Sequence, residues 1–213
     1  MTGSRRFHAV LWDFGGVFTT SPFEAFNRLE AARGWPADIV RRINSANPDT
    51  NAWARYERNE VDIDTFGALF AAEARALGVE IDPLAVLGCL GGDIRPRMVQ
   101  ALKSINRDYK TACITNNVKR PGFRPPAYIA AVAEIMALFN HVIESSKAGM
   151  RKPDPRIYQI ACDALGVSPA QAIYLDDLGI NLKPAHALGM HTIKVTSEAQ
   201  ALKDLTEALG HGV

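Results

Sequence analysis

The chain of 213 residues is 47% hydrophobic and 22% charged, enough apolar material for one domain core plus a modest second one. Its 24 basic and 23 acidic side chains nearly cancel, to a formal net charge of +1, and they are spread along the chain, which excludes a basic face for nucleic acid. No apolar run approaches the roughly 20 residues that cross a bilayer, and the three cysteines, Cys89, Cys113 and Cys162, stand in no disulfide or metal-ligand spacing. The segment 1–6 is short and polar and leads straight into a strand, so no secretory signal is expected and the cytoplasm is the default compartment.

The first predicted element is a strand over residues 7–12, an apolar run that ends at Asp13. Beyond it the strand-like runs stop, and apolar residues recur at helical spacing, as Ile63, Phe66, Leu69, Phe70, Ala74 and Leu77 do. This reads as a helical bundle inserted after the first strand, with crossings near Thr19 and Arg95 and with Gly91-Gly92 as a turn or hinge. Trp35 and Trp53 are assigned to packing inside that bundle. A second strand covers 111–114 and ends at Thr115. The stretch 119–128, rich in proline, lysine and arginine, reads as a solvated connection, with a site loop as the alternative.

Strands over 141–143, 172–175 and 191–195 complete the set, the first two of these ending at Glu144 and Asp176. Ahead of the last two lies a well-punctuated helix, with Asp154 as N-cap, Pro155 in the first turn and Gly166 as the left-handed stop. Short apolar runs, each followed by a helical stretch, predict an α/β fold: a doubly wound parallel sheet covered on both faces, made of residues 1–19 and 96–213, with residues 20–95 inserted as a helical domain.

In an open parallel sheet, ligands collect beyond the carboxyl ends of the strands, so the residues there are expected to converge in one crevice. They are Asp13, Thr115 with Asn116, and Asp176 with Asp177; Lys152, just ahead of a helix start, joins them. Three carboxylates, a hydroxyl and an ammonium suit a divalent cation holding a phosphate, because hard carboxylate oxygens take magnesium and the lysine charge and hydroxyl take phosphoryl oxygens. No histidine stands in a metal-ligand spacing.

Four segments in order resemble the motifs of the haloacid dehalogenase-like superfamily: Trp12-Asp13-Phe14-Gly15-Gly16-Val17, Ile114-Thr115-Asn116-Asn117, Arg151-Lys152-Pro153-Asp154-Pro155 and Leu175-Asp176-Asp177-Leu178-Gly179-Ile180-Asn181. Within it the chain looks most like the amino-terminal phosphatase domain of soluble epoxide hydrolases, through Ile143-Glu144-Ser145, Gly149-Met150-Arg151-Lys152-Pro153 and Asn181-Leu182-Lys183-Pro184-Ala185; Tyr56-Glu57-Arg58-Asn59-Glu60-Val61 resembles that subgroup's cap. The resemblance implies a Rossmann-like core with a C1-type cap at 20–95, moving on hinges near 19–22 and 91–96. It further implies Mg2+ held by Asp13, the Gly15 carbonyl and Asp177, with Asp176 behind them or touching the ion through water. Asp13 would be the nucleophile that forms an aspartyl-phosphate, Lys152 would neutralise charge on nucleophile and phosphate, Thr115 and the Asn116 backbone would hold phosphoryl oxygens, and Asn181 would orient Lys152 or the acidic pair.

The chain departs from that pattern at Gly15, where active phosphatases of this type carry a second aspartate as acid for the leaving group and base for the water. Metal binding is expected to survive, since the position contributes its carbonyl; proton transfer is expected to suffer by about 10² to 10⁴ in rate. Three readings follow. The first is a magnesium-dependent phosphatase of a small phosphorylated metabolite, slowed by Gly15. The second is a non-catalytic module that keeps the phosphate and metal site. The third is a haloacid dehalogenase, disfavoured by the tandem acidic pair because halide displacement needs no cation. Neither nucleic acid nor membrane is expected as a partner, and the oligomeric state stays open, a homodimer included.

Overall fold

A computed structural model describes residues 6–118 and 124–213. Its centre is a five-stranded sheet in the order β3-β2-β1-β4-β5, formed by β1 (Ala9–Trp12), β2 (Lys110–Thr115), β3 (His141–Glu144), β4 (Ala172–Asp176) and β5 (His191–Lys194). Every neighbouring pair is parallel. All four residues of β1 are fully buried, as a central strand covered on both faces requires.

The pleat divides β1 between two cores. Val10 and Trp12 pack with Cys113, Ile173 and Leu175 under α6 (Pro96–Ile105), α7 (Pro126–Met136) and α11 (Glu198–Leu209). Ala9 and Leu11 pack with Ala112, Ile114 and Tyr174 under α9 (Pro155–Leu165) and α10 (Gly179–Ala187). The punctuation expected for α9 is present: the Asp154 side chain accepts from the Arg156 amide, and Gly166 closes the helix at φ 62°.

Between β1 and α6 run α1 (Pro22–Arg33), α2 (Ile39–Ser45), α3 (Ala52–Glu57), α4 (Ile63–Ala76) and α5 (Pro83–Gly88). Their apolar faces form a third cluster around Phe26, Ile43, Trp53, Tyr56, Phe66 and Phe70. Trp53 meets Phe66 edge-on at 5.5 Å between ring centroids, and Trp35 is half-buried against the same cluster. Both tryptophans therefore pack the bundle.

The chain leaves and re-enters the sheet layer side by side. Thr19 and Ile94 form an isolated antiparallel bridge, Thr20 N–H donates to Asp93 O at 2.9 Å, and Arg95 N–H donates to Phe18 O at 2.8 Å. Gly92 lies so close to this seam that a Cβ there would stand 2.2 Å from Thr20 O.

The solvated connection expected at 119–128 holds for Pro125, Pro126 and Ala127, which are exposed, but not for Arg124. Residues 119–123 lie outside the described part; Arg124 is half-buried and donates to Leu90 O at 3.1 Å and to Gly91 O, while Tyr128 is already helical and donates to Gly92 O at 3.1 Å. Two main-chain carbonyls of the crossing thus share one nitrogen of the guanidinium and draw it out of water.

Gly92→Ala is expected to destabilise the protein by about 1–3 kcal/mol, the usual penalty of overpacking. Gly88→Ala, where a Cβ meets nothing within 4 Å, is expected to be neutral or mildly stabilising. Thermal unfolding of the two variants checks this; equal midpoints would remove the seam's claim to tight packing.

Candidate active site

Strand register carries the polar residues to one level. Trp12 pairs with Cys113 and with Leu175, so Asp13, Ile114 and Asp176 stand side by side at the carboxyl edge, with Thr115 one residue beyond. The Asp13 amide continues the ladder, donating to Leu175 O at 2.8 Å. Oxygens of Asp13, Asp176 and Asp177 lie within 4.8 Å of one another.

Lys152, 1% exposed, reaches into this group. Its Nζ lies 2.8 Å from Asp13 Oδ1 and 2.9 Å from Asp176 Oδ2. An ammonium taken out of water costs several kcal/mol even after relaxation, so it persists in such a place only with opposite charge in contact. Those two carboxylates outweigh the desolvation and hold the lysine above its ordinary range, so it stays protonated.

Asp176 is fully engaged. Its Oδ2 accepts from Tyr174 OH at 2.5 Å and from Asn181 Nδ2 at 3.1 Å, and its Oδ1 accepts from Leu178 N–H at 2.8 Å and from Asn181 Nδ2 at 3.1 Å. Tyr158 OH donates to the Asn181 carbonyl at 2.7 Å, which fixes the asparagine in turn. Asn181, expected to orient Lys152 or the acidic pair, spends its amide on Asp176. Tyr158 and Tyr174 went unnoticed in the sequence; Tyr174 had a signal, because a residue two before Asp176 on a strand shares its face.

Asp13 Oδ1 also accepts from the Phe14 amide at 2.6 Å, and Asp177 Oδ2 accepts from Ser21 Oγ at 3.3 Å. Burial is the main reason that the Asp13 carboxyl is pushed up to about 8; Lys152 opposes the shift, and Asp176 and Asp177 add to it. Burial, with Asp176 next, pushes Asp177 up to about 6. Acidic groups held at such values are waiting for positive charge.

The donor set fits a hard divalent cation. Gly16, at φ +73°, would place a Cβ 2.1 Å from Asp177 Oδ2, so a bare backbone is what admits Asp177 beside the Asp13 turn. Arg95 Nη1 ties that turn down, donating to Gly16 O at 2.8 Å. At Gly15 a Cβ would meet nothing within 4 Å, leaving open space where an aspartate would sit. Asp13, Asp177 and the Gly15 carbonyl would hold the ion, with Asp176 steering Lys152 from behind.

The Asn116 side chain has a task of its own, apart from the backbone that is expected to hold phosphoryl oxygens. Its Oδ1 accepts from Lys152 N–H at 2.8 Å and its Nδ2 donates to Lys152 O at 3.1 Å and to Glu57 Oε2 at 3.3 Å. Thr115 ends β2 as a buried residue. Two surface hollows, of about 310 Å³ beside His186 and His191 and about 640 Å³ beside His8 and Tyr109, lie at the amino ends of the strands, away from this cluster.

A family model described as haloacid dehalogenase-like hydrolase matches residues 7–189. Acyl-CoA dehydrogenase family member 10 of Mus musculus is 31% identical over 98% of this chain and 20% of its own length. Bifunctional epoxide hydrolase 2 of Mus musculus is 36% identical over 54% of this chain and 21% of its own length. The chain thus spans about a fifth of these first relatives. A sesquiterpene phosphatase of Aspergillus oryzae is 25% identical over 96% of this chain and 97% of its own. A HAD family enzyme of Bacteroides thetaiotaomicron, crystallised with magnesium and inorganic phosphate, shares the fold, with TM-score 0.58, 18% identity, and coverage of 90% of this chain and 96% of that one.

The sign of the metal-free pH dependence follows from the two raised carboxyls. Each ionises near 3.8 when unfolded but only near 8 (Asp13) or 6 (Asp177) when folded, so stability present at pH 4 is lost as pH rises to 8. A cation that binds the ionised forms offsets this loss. Magnesium is therefore expected to raise the unfolding midpoint more at pH 8 than at pH 5, and an equal rise at both would refute the electrostatic account.

Proposed function

The chain belongs to the haloacid dehalogenase-like hydrolases, and from that premise we propose that it is a magnesium-dependent phosphatase of a small phosphorylated metabolite, with Asp13 as nucleophile. The observation that carries the reading is the buried Lys152 ammonium between Asp13 and Asp176, with Asp177 completing the carboxylate cluster. A site that displaces halide from carbon has no use for three converging carboxylates, whereas phosphoryl transfer needs positive charge concentrated around its equatorial oxygens. The full-length likeness to a sesquiterpene phosphatase supports the same choice.

In this reading an Asp13 carboxylate oxygen attacks phosphorus in line. The P–O bond to the leaving group breaks, and the departing oxygen takes its proton from solvent. Water then attacks the phosphorus of the aspartyl-phosphate, and inorganic phosphate leaves as the Asp13 carboxylate re-forms. Lys152 holds Asp13 in place and offers charge to the phosphoryl oxygens, while Asp176, fixed by Tyr174 and Asn181, keeps the ammonium aimed. Thr115 and the Asn116 backbone receive phosphoryl oxygens at the end of β2. Mg2+, when bound, supplies Lewis-acid stabilisation of the same charge. The inserted helices serve as the cap that excludes water.

The open space at Gly15 sets the rate. No side chain at that position donates a proton, so esters with good leaving groups are favoured, and this vacancy also supports the alternative of a module that binds phosphate without turnover. Release of phosphate from aryl and alkyl esters, with and without magnesium, separates the two. The phosphatase reading expects magnesium-dependent release that EDTA abolishes and Asp13→Asn reduces to background. Bound phosphate analogues without any phosphorylated Asp13 across the panel would establish the binding module instead. Because an added side chain enters free space, Gly15→Asp is expected to raise alkyl-ester turnover by up to about 10² to 10⁴ and aryl-ester turnover much less; equal gains on both would contradict the missing-acid account.

A further inference from the structure

Glu57, at the carboxyl end of α3, is a charged residue that the inserted helices bury. Its carboxylate accepts from Trp53 Nε1 at 3.0 Å on its own helix, and meets Arg151 Nε at 2.6 Å and Asn116 Nδ2 at 3.3 Å from the sheet domain. Its backbone carbonyl accepts from Ser145 Oγ at 2.7 Å, and that hydroxyl also receives the Asn117 amide at 3.0 Å. Arg151 goes on to donate from Nη1 to Pro48 O at 2.8 Å. One residue of the insertion thus gathers the loop after β2, the start of the short helix α8 (Ser145–Ala148) after β3, and the segment ahead of α9 that carries Lys152.

The path to the reactive centre is short. Asn116 grips the main chain of Lys152 on both sides, accepting from its N–H at 2.8 Å and donating to its C=O at 3.1 Å, and Lys152 Nζ then spans Asp13 and Asp176. A buried ion pair is poor value as a fold anchor, because desolvation takes back most of its attraction and an apolar pair of similar volume does as well. Its gain lies in direction: a carboxylate and an amide fix one another's geometry where methyl groups would not.

We propose that Glu57 is a positioning residue: by holding Asn116 and Arg151 against the insertion, it sets the place of the Lys152 ammonium, so that the reactive centre is assembled only while the inserted helices are docked. The kinetic consequence rests on the phosphatase reading; the mechanical linkage does not. An apolar interface would close over the site without aligning it, whereas this one makes docking and alignment a single event.

The test compares wild type with Glu57→Gln, Glu57→Asp, Asn116→Ala and the Glu57→Gln/Asn116→Ala pair, using 4-nitrophenyl phosphate with magnesium, and amide hydrogen exchange with neither. Glu57→Gln is expected to lower kcat by about 10 to 100-fold, the cost of a misplacement on the ångström scale, with KM changed less than about twofold. Glu57→Asp recovers part of the loss, and the pair falls no further than the worse single variant, because both break one path. Exchange is expected to quicken at 116–118 and 145–152 while α1 and α4 keep their rates.

Additive losses, an unchanged kcat with unchanged exchange, or exchange that quickens equally through α1 and α4 would each overturn the proposal, the last by reducing Glu57 to an anchor of the bundle. If Glu57→Gln does not fold, Asn116→Ala decides from the other end of the path, by the same fall in kcat. If wild type releases no phosphate from any ester, the phosphatase reading fails, and the exchange pattern alone upholds or refutes the linkage.

Discussion

A single buried ammonium, that of Lys152, is the group around which the rest of the structure is arranged. Removing it from water costs several kcal/mol, and everything nearby serves to meet that cost: Asp13 and Asp176 in direct contact, Tyr174 and Asn181 fixing Asp176, Tyr158 fixing Asn181, and Asn116 fixing the lysine's own main chain. The packed cores bring these groups together, since β1 and β4 in register place Asp13 beside Asp176, and α9 and α10, on one face, carry Tyr158 and Asn181.

The same constraint leaves an imbalance. One ammonium faces three carboxylates, and the excess negative charge is confined in a low-dielectric pocket where it cannot be screened. The protein spends stability on that arrangement, as sites built to receive positive charge commonly do. In the proposed phosphatase, what the fold concedes as a free-standing object would return as affinity for a cation and for a group whose charge builds up during reaction.

Much of this was legible in the chain itself. Short apolar runs ending in polar residues located all five strands to within two residues at either end, because central parallel strands must be apolar on both faces, and the capped helix after Lys152 was readable from Asp154, Pro155 and Gly166. The convergence of Asp13, Asp176 and Asp177 followed from their places at strand ends. What stayed hidden was the distribution of work among neighbours. Whether Asn181 serves Lys152 or one of the two aspartates depends on the angle at which α10 packs, and no local pattern records it. For Asn116 only the backbone was given a task, and its side chain is committed to a residue 36 positions away. Arg124 was placed in solvent because proline and basic residues usually lie there, and the carbonyls that bind it belong to a crossing more than 30 residues upstream.

The seam at Thr19 and Ile94 has a consequence for how such a protein diversifies. Because the outgoing and returning strands of chain pair with one another, the sheet sees the whole insertion as a loop whose ends are already joined. The entropy of closing a loop grows only with the logarithm of its length, so that junction tolerates exchange of everything beyond it at little thermodynamic expense. Swapping in a foreign bundle at this graft point would leave the folding of the five strands nearly untouched, and besides two ends spaced like those of a hairpin the donor would need to supply only a partner for Asn116 and Arg151 in place of Glu57.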